Sequence, residues 1–284
     1  GTFDIADSSE ESLTEMMVGR KLVYEFERAR QEDSICVLEI TDIQALSDRG
    51  IEALKGINLS LSSGEILGVA GVEGNGQTEL IEVLTGLRKP TNGYIKLKGE
   101  DITATDPYSR IQRGISHIPE DRYKRGMIPE FTIQENMILG SQRDRFSDNK
   151  VTLNNESACE YTLKLIKDYQ IQTPGPNTLI RNLSGGNQQR VVVAREFSRD
   201  PVLIIAAQPT RGLDVGATEY VRKKLVEMRD QGCAVMLISA DLDEIWALSD
   251  RVAVIYEGKI VAVRDIDDTS EQEIGRYMAG GNNE

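Results

Sequence analysis

The glycine-rich stretch from Gly71 to Gly76 constrains this chain more than any other feature. It follows a short apolar run, residues 66–70, and precedes an amphipathic segment that begins at Gln77. A strand, a glycine-rich turn and a helix in this order form the setting in which a P-loop binds phosphate. Glycines let successive backbone N–H groups point into one concavity, and the following helix N-terminus adds partial positive charge. The stretch therefore predicts a phosphate cradle at the end of a buried strand.

The cradle, defined here as Gly71–Thr78, departs from the usual P-loop pattern at one position. The residues predicted to surround nucleotide phosphates are Gly71, Gly74, Asn75, Gly76, Gln77 and Thr78. Thr78 stands where a P-loop has the hydroxyl that binds Mg²⁺, and alone it would be a weak ligand, but Gln77 stands where the pattern has lysine. The sequence thus predicts backbone donors for a phosphate without the cation that normally holds its outer oxygens.

Composition narrows the class of protein. A net charge of −13 and a pI near 4.8 argue against a nucleic-acid-binding surface. The three cysteines are far apart and form no Cys-x-x-Cys pair, which favours a reducing compartment. No apolar run approaches the roughly 20 residues that span a bilayer. We expect a cytosolic domain, and the leading Gly1 suggests a piece of a longer polypeptide.

Predicted strands and helices alternate along the chain. Apolar runs and period-two alternation predict strands at 36–40, 56–61, 66–70, 93–99, 202–207, 234–239, 251–256 and 259–264, and a short strand that ends in a charged turn at 115–122. Helical spacing predicts helices at 132–139, 154–169, 215–228 and 241–248. This order predicts an α/β fold with a mixed sheet around strand 66–70 and one antiparallel section. Residues from about 120 to 182 contain no convincing strand and predict a helical insertion, with Leu163 and Ile166 facing inward.

A second glycine motif is more specific than the cradle. The signature segment, defined here as Leu183–Asn187, combines a natural helix N-cap at Ser184 with two glycines, Gly185 and Gly186. Those glycines expose backbone N–H groups at a helix start, which favours an anion there. An ordinary capped helix with a Gly-Gly turn is the alternative interpretation.

The order of these motifs resembles an ATP-binding-cassette (ABC) nucleotide-binding domain over about residues 35–265. The resemblance implies a P-loop NTPase fold of the ABC ATPase type, with a RecA-like mixed sheet, an antiparallel β section and a helical subdomain. Arg211–Asp214 matches the family's D-loop, which includes Asp214. More narrowly, the chain resembles the second half of tandem ATPases of bacterial simple-sugar and nucleoside importers. The resemblance lies in Pro119–Arg122, in Asn187 as the last residue of the signature segment, and in Pro209–Ala217. Ala206-Ala207-Gln208 favours the nucleoside branch.

The two ends of the chain resemble each other. Residues Ser9, Glu10, Met17 and Gly19 match Ser270, Glu271, Met278 and Gly280 without a gap. We expect residues 1–34 to be the last helix of a preceding homologous cassette plus a linker, and 35–284 to be the cassette itself. Two capped helices of similar composition can also coincide by chance.

The resemblance implies that several catalytic positions have been lost. Gln77 stands at the lysine position, Ala207 at the Walker B aspartate position and Gln208 at the catalytic glutamate position. Ala240 stands at the histidine position, and Glu120 stands at the position of the sensing glutamine. We expect the only histidine, His117, to be a structural strand residue, and no aromatic side chain for adenine stands at 48–50. Losing the lysine removes a charged hydrogen bond of about 1.5–3 kcal/mol, and losing a general base slows a reaction about 10²–10⁴-fold.

These losses predict weak ATP and Mg²⁺ binding at the chain's own site and impaired hydrolysis, beside an intact signature that acts on ATP held by a partner. The resemblance implies an upstream cassette, integral membrane permease subunits contacted through residues 120–136, and, indirectly, an extracytoplasmic substrate-binding protein. It implies a peripheral location on the cytoplasmic side of the plasma (inner) membrane and no nucleic-acid partner.

Three alternatives stay open at this point. One is an autonomous ATPase that uses Glu73, Glu79 or Glu120 as a replacement carboxylate. Another is a soluble cassette protein that works on ribosomes or nucleic acid rather than at a membrane. A third is a structural module that senses phosphate without hydrolysing it.

Overall fold

The computed structural model describes residues 35–147 and 151–281. Its strands are β1 Cys36–Leu46, β2 Glu52–Ser62, β3 Ile66–Ala70, β4 Asn92–Leu97, β5 Glu100–Asp101, β6 Ile115–Ile118, β7 Leu203–Ala207, β8 Ala234–Ser239, β9 Arg251–Tyr256 and β10 Lys259–Asp265. Its α-helices are α1 Gln77–Thr85, α2 Pro107–Gln112, α3 Ile133–Ile138, α4 Gln142–Arg145, α5 Asn155–Asp168, α6 Gly185–Phe197, α7 Val215–Asp230, α8 Leu242–Leu248 and α9 Glu271–Met278. The helix predicted near residues 9–17 lies outside the described residues.

The strand before the cradle lies inside a six-stranded mixed sheet with the order β10-β9-β3-β8-β7-β6. β3 pairs in parallel with β8 on one side and β9 on the other, and β7 pairs in parallel with β8 and β6. All five β3 residues are buried, which explains why this strand is a continuous apolar run instead of alternating. The predicted mixed sheet around residues 66–70 is confirmed.

The predicted antiparallel section forms a separate four-stranded sheet with the order β2-β1-β4-β5. The sequence predicted it as a section of the mixed sheet, but none of its strands pairs with that sheet in the described residues. Side chains of both sheets and of α1 share one core, which includes Ile57, Leu80 and Ile205. The cradle helix α1 is therefore held between two β layers.

Helices α6, α7 and α8 cover the other face of the mixed sheet. Val193, Val221 and Ile245 pack there with Ile204 and Leu237 of β7 and β8. Successive β7 residues alternate between the two cores, as the period of a strand requires. The site at the end of this sheet is thus fixed by packing on both faces.

Residues 120–182 form a helical lobe with a core of its own, as predicted. Met127, Ile133, Leu165 and Ile180 belong to that core, which α6 shares through Val191. No strand of either sheet falls within this part of the described chain.

The inward face predicted for α5 is partly wrong. Ile166 packs against the lobe core, but Leu163 is 50 % exposed. The buried positions of α5 are Ala158, Thr162 and Leu165. Leu163 follows Thr162 by one residue, about 100° around the helix, and therefore points away from the core. Across the described ranges, no helix combines the length and the apolar character needed to cross a membrane.

Candidate functional site

The predicted site positions meet where parallel strands end. Neighbouring parallel strands bring their carboxyl ends to one edge of a sheet, where α/β folds bind ligands. At this edge lies a cavity of about 180 Å³, below the roughly 300–1,000 Å³ of ordinary ligand pockets. Its lining includes Glu73, Gly74, Gln77, Thr78, Glu120, Ala207, Gln208 and Ser239. Ala240 instead lines a neighbouring cavity of about 490 Å³ that also contains Gln208.

The cradle backbone has the strained geometry that its glycines allow. Gly76 has φ = 106°, and a Cβ atom there would lie 3.0 Å from the carbonyl oxygen of Ala53. Asn75 is anchored to the β9–β10 turn: its Oδ1 accepts from the Glu257 N–H at 2.8 Å, and its carbonyl oxygen accepts from the Gly258 N–H at 3.0 Å. The hairpin therefore holds the loop in a cradle shape. Sequence analysis missed this anchor, because the contact joins residues 182 apart.

Gln77 folds back into the loop that precedes it. Its Oε1 accepts a hydrogen bond from the Asn75 N–H at 3.1 Å, and its Nε2 donates to the Val72 carbonyl oxygen at 2.9 Å. The Asn75 N–H therefore has two acceptors within the chain, Gln77 Oε1 and, at 3.3 Å, the Val72 carbonyl oxygen.

Arg211 lies at the mouth of the cradle and contacts two carboxylates. Its Nη1 forms an ion pair with Glu120 and lies 3.2 Å from an oxygen of Glu73. The Arg122 Nη1 donates to the carbonyl oxygen of Arg211 at 3.4 Å. Arg211 belongs to the predicted D-loop, but nothing in the sequence pattern indicated that it would reach the cradle.

These residues fit a Mg²⁺–triphosphate poorly. The carboxylates of Glu73 and Glu120 at the mouth repel an anion, and the Arg211 guanidinium is already paired with both of them. Thr78 is exposed, and no group of three His, Cys, Asp or Glu side chains within the described residues could hold a metal ion. Asp48, where an aromatic side chain would stack on adenine, pairs instead with Arg88 at 2.6 Å.

The end of β7 combines a buried alanine with a strained glutamine. Ala207 is buried, and Gln208 has φ = 45°, a left-handed conformation that costs a non-glycine residue about 1–2 kcal/mol. The Gln208 N–H donates to the Ile238 carbonyl oxygen at 2.8 Å, which holds this conformation. Strained backbone of this kind clusters at functional sites. The backbone geometry is present, but the carboxylates that could use it are absent from both positions.

The cavity beside Ala240 contains an acid that sequence analysis missed. The Glu244 side chain is 1 % exposed, and it accepts a hydrogen bond from the Thr210 hydroxyl at 2.7 Å. Burial raises the pKa of Glu244, because Thr210, Ser239 and Arg222 offset the loss of water only in part. Only its place in an otherwise apolar helix face could have indicated this residue.

His117 lies on β6, away from the cradle. It lines a groove of about 410 Å³ between the helical lobe and the sheets. Its Nε2 has no hydrogen-bond partner among the described residues, and burial lowers its pKa to about 4. The structural role expected for this residue stays a prediction.

The signature segment opens α6, as its sequence predicts. Ser184 is the N-cap: its Oγ accepts from the Asn187 N–H at 3.4 Å and from the Asn187 Nδ2 at 3.0 Å. Asn187 Oδ1 in turn accepts from the Gln172 N–H at 2.8 Å. Neither of the two cavities described at the strand ends is lined by a residue of this segment. The signature segment and the cradle of one chain are therefore separate features.

Asp214 caps α7. Its Oδ1 accepts from the Ala217 N–H at 2.8 Å, the ordinary bond of an aspartate N-cap. The predicted D-loop thus ends at a helix start, next to the residue pair Arg211 and Glu120 described above.

Comparisons with known proteins agree on one family. The model described as "ABC transporter" matches residues 54–211. The chain is 46 % identical to the guanosine import ATP-binding protein NupO of Bacillus subtilis, over 98 % of this chain and 55 % of that protein. It is 41 % identical to the nucleoside import ATP-binding protein NupA of Lactococcus lactis, over 99 % of this chain and 56 % of that protein.

The chain thus spans about half the length of these curated relatives. Among solved structures, a nucleotide-free ATP-binding cassette from an ABC transporter superposes with a TM-score of 0.71 at 22 % identity, covering 86 % of this chain and 96 % of that chain. At that identity the likeness shows the fold alone.

Proposed function

Because the chain belongs to the ABC transporter family, we propose that it is the second of two nucleotide-binding cassettes in an importer ATPase. Residues 35–284 are the cassette, and residues 1–34 are the end of the first cassette and a linker. The length of the relatives supports this arrangement, because the chain covers only 55 % and 56 % of the two nucleoside importers it resembles. The cargo class is a nucleoside or a simple sugar, with nucleosides favoured by those two relatives.

The observation that carries the proposal is the contrast between the two glycine motifs. In the cradle, the lysine position holds Gln77, whose side chain binds the loop itself. In the signature segment, Ser184 caps α6 and leaves Gly185 and Gly186 at the helix start. The chain therefore does not hydrolyse ATP at its own site and supplies its signature segment to ATP held by the first cassette.

The groove beside the helical lobe is the proposed contact with membrane permease subunits. It has Lys124, Arg125 and Met127 of the predicted contact region on one wall and the 58 % exposed Leu87 on another. An apolar groove with cations at its rim suits an amphipathic segment of a partner. We propose that the cassette works at the cytoplasmic side of the plasma membrane, where the permease would link it indirectly to an extracytoplasmic substrate-binding protein.

ATP turnover by the purified chain tests the proposal. We expect no phosphate release above background, because Gln77, Ala207, Gln208 and Ala240 replace the catalytic groups together. Gln77→Lys should tighten nucleotide binding by roughly ten- to a hundredfold, the effect of one charged hydrogen bond. It should still give no turnover, because a water-activating carboxylate is absent. Steady turnover by the unmodified chain that disappears in Thr78→Ala would contradict the proposal.

A further inference from the structure

We infer that the chain's own cradle is held closed by its own side chains, with Gln77 as an internal stopper and Arg211 as a clasp across the mouth. The inference rests on the proposed function, since it concerns the nucleotide site that the proposal calls inactive. The inference adds a mechanism to the proposed function. A missing lysine only weakens nucleotide binding, whereas the Gln77 side chain competes with the nucleotide for the same backbone N–H donor.

The stopper is a carboxamide that uses both of its ends. Gln77 Oε1 accepts from the Asn75 N–H at 3.1 Å, closer than the Val72 carbonyl oxygen that shares this N–H at 3.3 Å, and Gln77 Nε2 donates to that carbonyl oxygen at 2.9 Å. The same Nε2 would lie 2.7 Å from a Cβ atom on Gly71, so the carboxamide lies against the floor of the loop. A phosphate can reach that floor only after the Gln77 side chain leaves it.

The clasp joins three segments that surround the mouth. Arg211, between β7 and α7, pairs with Glu73 of the loop and with Glu120 after β6. These ion pairs are exposed, so they add little stability. Their effect on a ligand is electrostatic: an entering phosphate must separate Arg211 from its partners or face two carboxylates.

Removal of the stopper separates this mechanism from a simple loss of charge. We would titrate the purified chain with ADP by calorimetry and compare wild type with Gln77→Ala. If the carboxamide competes for the Asn75 N–H, the alanine variant binds ADP about three- to tenfold more tightly, although no cation has been added. Gln77→Ser, which is too short to reach Asn75, should behave in the same way and covers the case in which the alanine variant does not fold. Gln142→Ala, at an exposed glutamine on α4, is the matched control and should leave ADP affinity unchanged.

The clasp is tested by Glu73→Gln combined with Glu120→Gln. Freeing Arg211 should tighten ADP binding at least threefold and make it more sensitive to salt. Folded Gln77→Ala and Gln77→Ser variants that bind ADP no more tightly than wild type would overturn the stopper, and an unchanged double variant would overturn the clasp. Both outcomes differ from a failure of the proposed function, which appears as ATP turnover by the wild-type chain.

Discussion

Arg125 donates a 2.7 Å hydrogen bond to Glu82, and this contact joins the cradle helix α1 to the wall of the groove. The same carboxylate accepts a hydrogen bond from Arg88 at 2.7 Å, and Arg88 also forms an ion pair with Asp48. Glu82 is buried, so the two arginines determine its charge state. Burial opposes ionisation of Glu82, but the hydrogen bonds from Arg125 and Arg88 outweigh it and lower the pKa.

Glu82→Gln should destabilise the fold. The amide keeps the shape but removes the negative charge that accepts three hydrogen bonds from Arg88 and Arg125, so we expect the free energy of unfolding to fall by roughly 1.5–3 kcal/mol. Urea denaturation at pH 7 measures this loss, and Glu160→Gln, at an exposed position on α5, is the matched control. Because the folded-state pKa is lowered, the stabilisation is present above about pH 4.5 and disappears as pH falls through that lowered pKa. An equal effect of both substitutions on the free energy of unfolding would contradict the proposed contribution of Glu82 to stability.

His117 should titrate far below the usual range of histidine. Burial lowers its pKa from 6.5 to about 4, and since it is the only histidine, its NMR titration is unambiguous. In the unfolded state His117 is protonated as pH falls through about 6.5, whereas in the folded state it stays neutral down to about pH 4. The folded state therefore loses stability between these two pH values as pH falls. The full effect is roughly 3 kcal/mol, and His117→Gln should lack it. A titration midpoint above pH 6 would mean that the imidazole is hydrated.

Strands and helices could be predicted from the sequence where the local spacing of apolar residues agrees with their burial in the fold. β3 is buried on both faces, so its continuous apolar run was a sufficient signal. The cap of α6 at Ser184 could be predicted because serine is one of the preferred N-cap residues and its side-chain oxygen accepts a hydrogen bond from the first turn. Leu163 was predicted wrongly because spacing alone does not say which side of a polar helix meets the core, and Thr162 occupies the buried face instead.

The arrangement around the cradle could be predicted only in part. The sequence shows that Gln77 replaces a lysine, but a side chain that folds back onto its own loop leaves no pattern. Arg211 and Glu120 are 91 residues apart, and their ion pair exists only because β6 and β7 are neighbours in the sheet. Contacts of this kind follow from strand order, which local periodicity does not encode.

The groove should bind the permease partly through Leu87. Leu87→Glu places a charge on an apolar wall and should lower retention of permease subunits on the immobilised chain by about tenfold or more, because a buried unpaired charge is costly. Leu163→Glu is the matched control: Leu163 is 50 % exposed and Leu87 58 %, but Leu163 lies on the outer face of α5. Equal retention of the permease by both variants would show that the groove is not the contact.

The central claim, an inactive cradle beside a working signature segment, is tested most directly by two substitutions in an importer complex that contains this chain. Ser184→Arg blocks the start of α6, where a donor to the partner's ATP is expected, and loss of such a donor costs about 10²–10³ in rate. Thr78→Ala alters only the chain's own cradle. The measurement is the ATPase rate of the complex with each variant beside wild type. The account predicts that Ser184→Arg nearly abolishes ATPase activity while Thr78→Ala keeps most of it; equal damage from both, or greater damage from Thr78→Ala, would contradict it.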